Sequence, residues 1–244
     1  MPTISSTHKT KLNDKQLELL RTIYEFRFGS AELVGRYIGV TRRSMSNSLN
    51  VLLDRGFLHR RFDGVYHLLH KPASYCLTPK GIKALKQHYD LNEKVLHNIY
   101  HDRKVTPEFV DHSLNVFKTY LDLRDKHPGT FNIMTSSYQA DFDDFPRPKP
   151  DLFLARLKPH ENKPDEVFVD VYEEDVELWI IKKRIRLYLI HHDEFEWDAD
   201  IYPTVLLLVE DEKKLRKLKR YANKQIEERW LEGEVKFVIC SDIP

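Results

Sequence analysis

Between Thr41 and Gly56 the chain reads TRRSMSNSLNVLLDRG, a stretch that fits only a helix with two dissimilar faces. Met45, Leu49, Leu52 and Leu53 recur at helical spacing and form one apolar stripe. Arg42, Arg43, Ser46, Asn47 and Asn50 fall mainly on the other side, with both arginines near the N-terminal end. Thr41 suits the N-cap, since its hydroxyl can accept an unpaired N–H of the first turn. Gly56 suits the stop, because glycine enters the left-handed conformation without a Cβ penalty. Arginine reaches phosphates or guanine edges and asparagine pairs with adenine, so this face has the side chains of a DNA-reading helix. An ordinary solvated helix surface is the competing reading of the same residues.

The flanking residues bear on that choice. Asn13 with Gln16 predicts a capping box, followed by the apolar positions Leu17, Leu20, Ile23, Tyr24 and Phe28. Ser30 caps a second helix, AELVGRYIG, ending at Gly39, and Val40 leads after a tight turn into the Thr41 helix. This is helix–turn–helix spacing. Downstream, 57–62 reads as a strand, Asp63-Gly64 as a turn, and 65–69 and 74–78 as returning strands. Together they predict a wing, with Arg60, Arg61 and Lys71, along with His67 and His70, placed to meet the sugar–phosphate backbone. Thr78 with Pro79 opens one more helix.

Charge divides along the same line. Residues 1–104 hold 18 Lys and Arg against 9 Asp and Glu, a net of +9, while the remainder nets −8. A basic front neutralises phosphates and an acidic back does something else. No apolar run is long enough to span a bilayer, and MPTISSTHKT lacks the apolar core of a secretion signal. Cys76 and Cys240 are too few for a disulfide framework or a zinc site. A cytoplasmic protein without membrane contact is the expectation.

The expected organisation is a winged-helix domain at 1–90, a helical bridge at 91–128 and an α/β domain at 129–244. The bridge contains a helix from Thr106-Pro107 with the stripe Val110, Leu114, Phe117, Leu121 and Leu123; its His112 reads as a packed or solvated side chain. Beyond Gly129 come strands at 131–135, after Pro150-Asp151, at 166–172, 204–209 and 235–240. Helices at about 176–189 and 212–230 alternate with the later strands, which predicts a sheet flanked by helices.

The order Pro150-Asp151, hairpin, Asp170-Val171-Tyr172 resembles the PD-(D/E)xK nucleases. The resemblance implies Asp151 and Asp170 as ligands of a catalytic Mg²⁺, which activates water and stabilises the leaving phosphate. The lysine expected two residues after the second acid is replaced by Tyr172, so Lys182 or Lys183 would have to stand in. Glu173, Glu174 and Asp175 offer further ligands or simply a solvated turn.

More broadly, the chain resembles the replication-relaxation, or mobilisation-associated, proteins of plasmids and other mobile elements. The residues that carry this are Tyr75–Leu85 (YCLTPKGIKAL), Asp111–Phe117 (DHSLNVF), Arg147–Leu154 (RPKPDLFL) and Phe168–Leu178 (FVDVYEEDVEL). The resemblance implies an α+β winged helix-turn-helix followed by a degenerate α/β restriction-endonuclease-like domain. One acid of the family's usual Glu-x-Asp pair is missing, since Asp170 and Tyr172 occupy the two positions. The expected function is sequence-specific binding of double-stranded DNA in replication, mobilisation or gene control. A homodimer and a replication or transfer protein are the expected partners, and no cofactor is needed unless Asp151 and Asp170 hold Mg²⁺. A metal-dependent endonuclease and a plain transcriptional regulator are the alternatives.

Overall fold

The structure is a computed structural model and describes residues 11–62, 71–157, 165–194, 197 and 201–244. Helix α1 (Asp14–Phe26) begins at the Asn13–Gln16 capping box. The short strand β1 (Gly29–Ser30) leads into α2 (Ala31–Ile38), where the Ser30 hydroxyl accepts the Leu33 N–H. Gly39 ends α2 in the left-handed conformation, and Thr41 caps α3 (Arg42–Asp54). Strands β2 (Leu58–Arg61) and β3 (Ser74–Leu77) pair antiparallel, and β1 joins the far edge of β3, giving the order β1-β3-β2. Three helices followed by a hairpin that pairs back onto a strand between α1 and α2 is winged-helix topology. Residues 63–70, which hold the expected Asp63-Gly64 turn, the expected strand at 65–69 and both His67 and His70, lie outside the described residues.

The core of this unit includes Leu20, Ile23, Val34, Met45, Leu49, Leu52 and Leu77, each 3 % exposed or less. Leu53, expected in the α3 stripe, is only half-buried. Helix α4 (Pro79–Lys86) starts at Thr78, whose hydroxyl accepts the Gly81 N–H and donates to the Gly56 carbonyl. Gly81 cannot carry a side chain there, because a Cβ would sit 2.3 Å from the Phe57 carbonyl oxygen.

The middle segment, 91–128, packs against both units. Helix α5 (Glu93–Ile99) buries Val95, Leu96 and Ile99 in the winged-helix core. Helix α6 (Pro107–Lys126) contributes Phe117 and Leu121 to that core and Leu123 to the next. Phe117 stacks on Phe26 with ring centroids 3.8 Å apart, and Arg36 of α2 reaches Asp122 and Asp125 of α6, each at 2.7 Å.

The second unit is a five-stranded sheet in the order β4-β5-β6-β7-β8. Its strands are β4 (Phe131–Thr135), β5 (Leu152–Arg156), β6 (Glu166–Tyr172), β7 (Thr204–Val209) and β8 (Phe237–Cys240). A short helix, α7 (Ser136–Gln139), follows β4. The first three strands form an antiparallel meander; β7 and β8 are then added parallel. Those parallel additions require crossovers, supplied by α8 (Leu178–Glu194) and α9 (Glu212–Arg229). Both pack on one sheet face, where Ile181, Ile185, Tyr188, Leu215 and Leu218 meet Phe168, Val205 and Leu207. The other face, with Leu152, Val169 and Leu206, receives Leu123 and Val116 of α6. The layers are therefore α6, sheet, and α8 with α9. Trp179 and Ile180 are 63 % and 40 % exposed, because the helix turns Ile181 and Ile185 to the sheet instead.

Candidate functional sites

The first site is the outer face of α3. Burial of Met45, Leu49 and Leu52 fixes the rotation of the helix about its axis, so the polar residues are turned outward. Arg42, Arg43 and Asn47 are exposed, while Ser46 and Asn50 are half-buried at its flank. In β2, Leu58 is buried and Arg60 is exposed. Two cations expected to meet phosphate are engaged elsewhere. Arg61 donates to the Val105 carbonyl at 2.7 Å, and the Lys71 ammonium lies 2.5 Å from Asp111 of α6. Lys71 ties the wing to α6 and Arg61 ties it to the residues just before α6, so the outward cations of this face are Arg42, Arg43 and Arg60.

The second site is a cluster of carboxylates at the ends of β5 and β6. Asp151 immediately precedes β5 and Asp170 lies in β6; the Asp151 N–H donates to Asp170 Oδ1 at 3.3 Å, so the meander brings the two expected acids together. Their oxygens are already partnered. Asp151 Oδ2 accepts the Val171 N–H at 2.8 Å, and Oδ1 faces His112 Nε2 at 3.1 Å. The other nitrogen of that ring, Nδ1, lies 3.1 Å from Glu173 Oε1, which also accepts from Asn115 at 3.1 Å. With carboxylates on both sides, both ring nitrogens donate, and the ring is an imidazolium. Burial opposes that charge, but the hydrogen bonds and charges of Asp151 and Glu173 prevail and push the His112 pKa up to about 10. Asp151 itself is pushed up by burial against the pull of His112.

Asp170 is held by a different cation. Arg184 of α8 donates through Nε to Oδ2 at 2.6 Å and through Nη2 to Oδ1 at 3.2 Å, and its Nη1 takes the Pro148 carbonyl. The Tyr188 hydroxyl adds a third bond to Asp170 at 3.0 Å. Asp170 and Arg184 are 4 % and 6 % exposed, so this is a buried, two-point ion pair. Burial lowers the Arg184 pKa, but Asp170 together with Tyr188 and Tyr172 raises it above its ordinary value, while burial drives Tyr172 and Tyr188 well above the ordinary phenol value, so both keep their protons.

These residues do not fit the divalent cation that the nuclease resemblance implies. A guanidinium already lies against one acid and an imidazolium against the other, so a further dication would meet two positive charges. Among the described residues no three His, Cys, Asp or Glu side chains are arranged to hold a metal. Lys182 is directed elsewhere, its ammonium 4.9 Å from the centre of the Tyr221 ring on α9. Lys183 is exposed on the outside of α8, and Glu174 and Asp175 are exposed on the turn before it.

Sequence reasoning missed His112 and Arg184 as members of this cluster. His112 sits inside the DHSLNVF segment, a signal the motif carried. Arg184 stands among neighbouring cations, and only the rotation of α8 singles it out.

Asp151 and His112 also line a cleft of about 600 Å³ between the end of α1, α5, α6 and the loop before β5. Glu25 lies on its wall, and burial raises its pKa to about 7.

No protein-family model matches the chain, and no curated protein matches it. Among solved structures, the oxidized form of MarR from E. coli is 15 % identical over 45 % of this chain and 76 % of that chain, with a TM-score of 0.28. A mutant MarR from E. coli complexed with operator DNA gives 14 %, 48 % and 76 %, with a TM-score of 0.29. FabT of Streptococcus pneumoniae in complex with DNA gives 18 %, 50 % and 82 %, with a TM-score of 0.30. At such scores the likeness carries no weight of its own, and the winged helix rests on its strand order.

Proposed function

We propose that this protein binds double-stranded DNA through α3, and that it acts in replication, mobilisation or gene control of a mobile element. The observation that carries the reading is the outward placement of Arg42, Arg43 and Asn47 on a helix whose opposite face is locked into the core. Arg42 and Arg43 lie in the first turn, the part of a recognition helix that meets base edges. Arg60 supplies a phosphate contact from the wing. A replication or transfer protein is the class of partner that accompanies this reading.

In the same proposal the second unit is a restriction-endonuclease-like domain that has exchanged its metal for internal cations. Support comes from the order α6-β4-α7-β5-β6-α8-β7, with two acids side by side, one just before β5 and one in β6. Arg184 and His112 satisfy those acids from within the chain. The cluster then joins α6 and α8 to the sheet rather than cleaving phosphodiesters.

The test is duplex binding by Arg42→Ala with Arg43→Ala. Removing two phosphate-binding cations lowers the salt slope by roughly 2, and removing a bidentate grip on a base costs about 1–3 kcal/mol of discrimination. Unchanged affinity at moderate salt overturns the assignment. Cleavage of any DNA form with Mg²⁺ or Mn²⁺, abolished by Asp151→Ala, overturns the inert-domain half of it.

A further inference from the structure

The second unit is acidic on average, yet its outer helical layer is the reverse. From residue 213 to 226 there are seven Lys and Arg and no Asp or Glu; from 178 to 192 there is likewise no acid. Lys213, Arg216, Lys217, Arg220 and Lys224 recur at three- and four-residue spacing and are all exposed, so they share one outward face of α9. Lys183 and Arg186 are exposed on α8. The two helices run side by side in the same direction. Lys214 bonds the Glu174 and Val176 carbonyls just before α8 starts, and Arg229 pairs with Asp193 near its end. Their exposed cations therefore form one band.

That band lacks internal compensation. Among the described residues, Lys183, Arg186, Arg216, Lys217 and Arg220 make no ion pair, and Lys224 alone of α9's outward row meets an acid, Glu228, at 3.5 Å. The acids of this layer, including Glu212, Glu227 and Glu228, lie toward the helix ends. Like charges at i,i+3 and i,i+4 repel along the helix, and an ordinary solvated face interleaves acids to relieve that. The apolar face of α9 is already spent on the sheet through Leu215, Leu218 and Ala222, so the helix has nothing to insert into a bilayer. Trp179 stands exposed one turn before Lys183 on the same side of α8, a flat surface beside the cations. The outward cations from Lys213 to Lys224 span about 16 Å, roughly half a turn of duplex.

We infer that the outer face of α8 and α9 is a second nucleic-acid site, which holds the phosphodiester backbone through Arg216, Lys217, Arg220, Lys183 and Arg186. It lies on the sheet face opposite α6, whereas the winged helix packs against α6. The two basic surfaces are separate, and one chain can hold two nucleic-acid segments or two stretches of one.

The experiment uses the full chain with Arg216→Glu, Lys217→Glu and Arg220→Glu, alone and combined with Arg42→Ala and Arg43→Ala. Each protein is titrated with one fluorescent oligonucleotide, as a single strand and as a duplex, across a salt series. Expected is residual, salt-sensitive binding in the Arg42/Arg43 variant that the glutamates weaken roughly tenfold or more, the salt slope falling by about 0.9 for each duplex phosphate no longer neutralised. Preferential weakening for the single strand marks Trp179 as a stacking surface, which Trp179→Ala then weakens. If the glutamate variant unfolds, Arg216→Gln, Lys217→Gln and Arg220→Gln take its place, with about half the effect. Affinity and slope unchanged by either set, in a protein with native circular dichroism, overturn the inference. Binding abolished by the glutamates but untouched by the Arg42 and Arg43 changes supports this site and defeats the α3 assignment, so the two can fail independently.

Discussion

His112 lies between two carboxylates from different elements, one before β5 and one after β6. Its folded pKa of about 10 stands above the ordinary 6.5, so the stability it contributes is complete below 6.5 and is lost as pH rises through 10. Denaturation midpoints should fall over that range in the native chain and stay flatter in His112→Gln; parallel curves would remove the charge from the account. Glu25 works at lower pH with the same sign, since its folded value of about 7 exceeds the ordinary 4.5. Arg184 offers a second residue-scale prediction. Arg184→Met strands Asp170 as a buried charge and should cost about 3–5 kcal/mol, whereas adding Asp170→Leu should recover most of it. A double variant no more stable than the single one would mean that the pair matters for shape more than for charge.

At the scale of elements, helix starts were legible because a cap is local chemistry. Asn13, Ser30, Thr41, Thr78 and Thr106 each accept the backbone N–H that their position in the chain predicts. Strands β6 and β7 fall where runs of apolar residues placed them, since a strand covered on both faces needs such a run. Helix α8 was legible as a helix but not in its rotation. Its sequence has apolar residues on several sides, and the sheet selected Ile181, Ile185, Tyr188 and Leu189 over Trp179 and Ile180. The same choice turned Arg184 inward and left Lys183 outside.

For the whole molecule, α6 decides the architecture. It is shared between the winged-helix core and the sheet, through Phe117 and Leu121 on one side and Leu123 on the other. The two units should therefore unfold together. Phe117→Ala should cost about 3–5 kcal/mol and lower a single shared transition. Separate melting of the winged helix and the sheet in the native chain would contradict that coupling. Among the described residues, no helix is long and apolar enough to cross a membrane.

The order of the longer helices and strands, the capping residues and the cationic side of α3 followed from sequence alone, because each depends on neighbours within a few positions, whereas β1 and α7 did not. The pairing of Asp151 with Asp170 was also foreseeable, since a hairpin brings adjacent strands together. What only the tertiary structure decided is which charges meet across elements. Arg61 turns to the Val105 carbonyl, Lys71 to Asp111 of α6, Lys182 to Tyr221, and Arg184 and His112 to the two acids. Buried charges settle beside whatever opposite charge the packing delivers, and packing is a property of the assembled layers, not of any one stretch of chain.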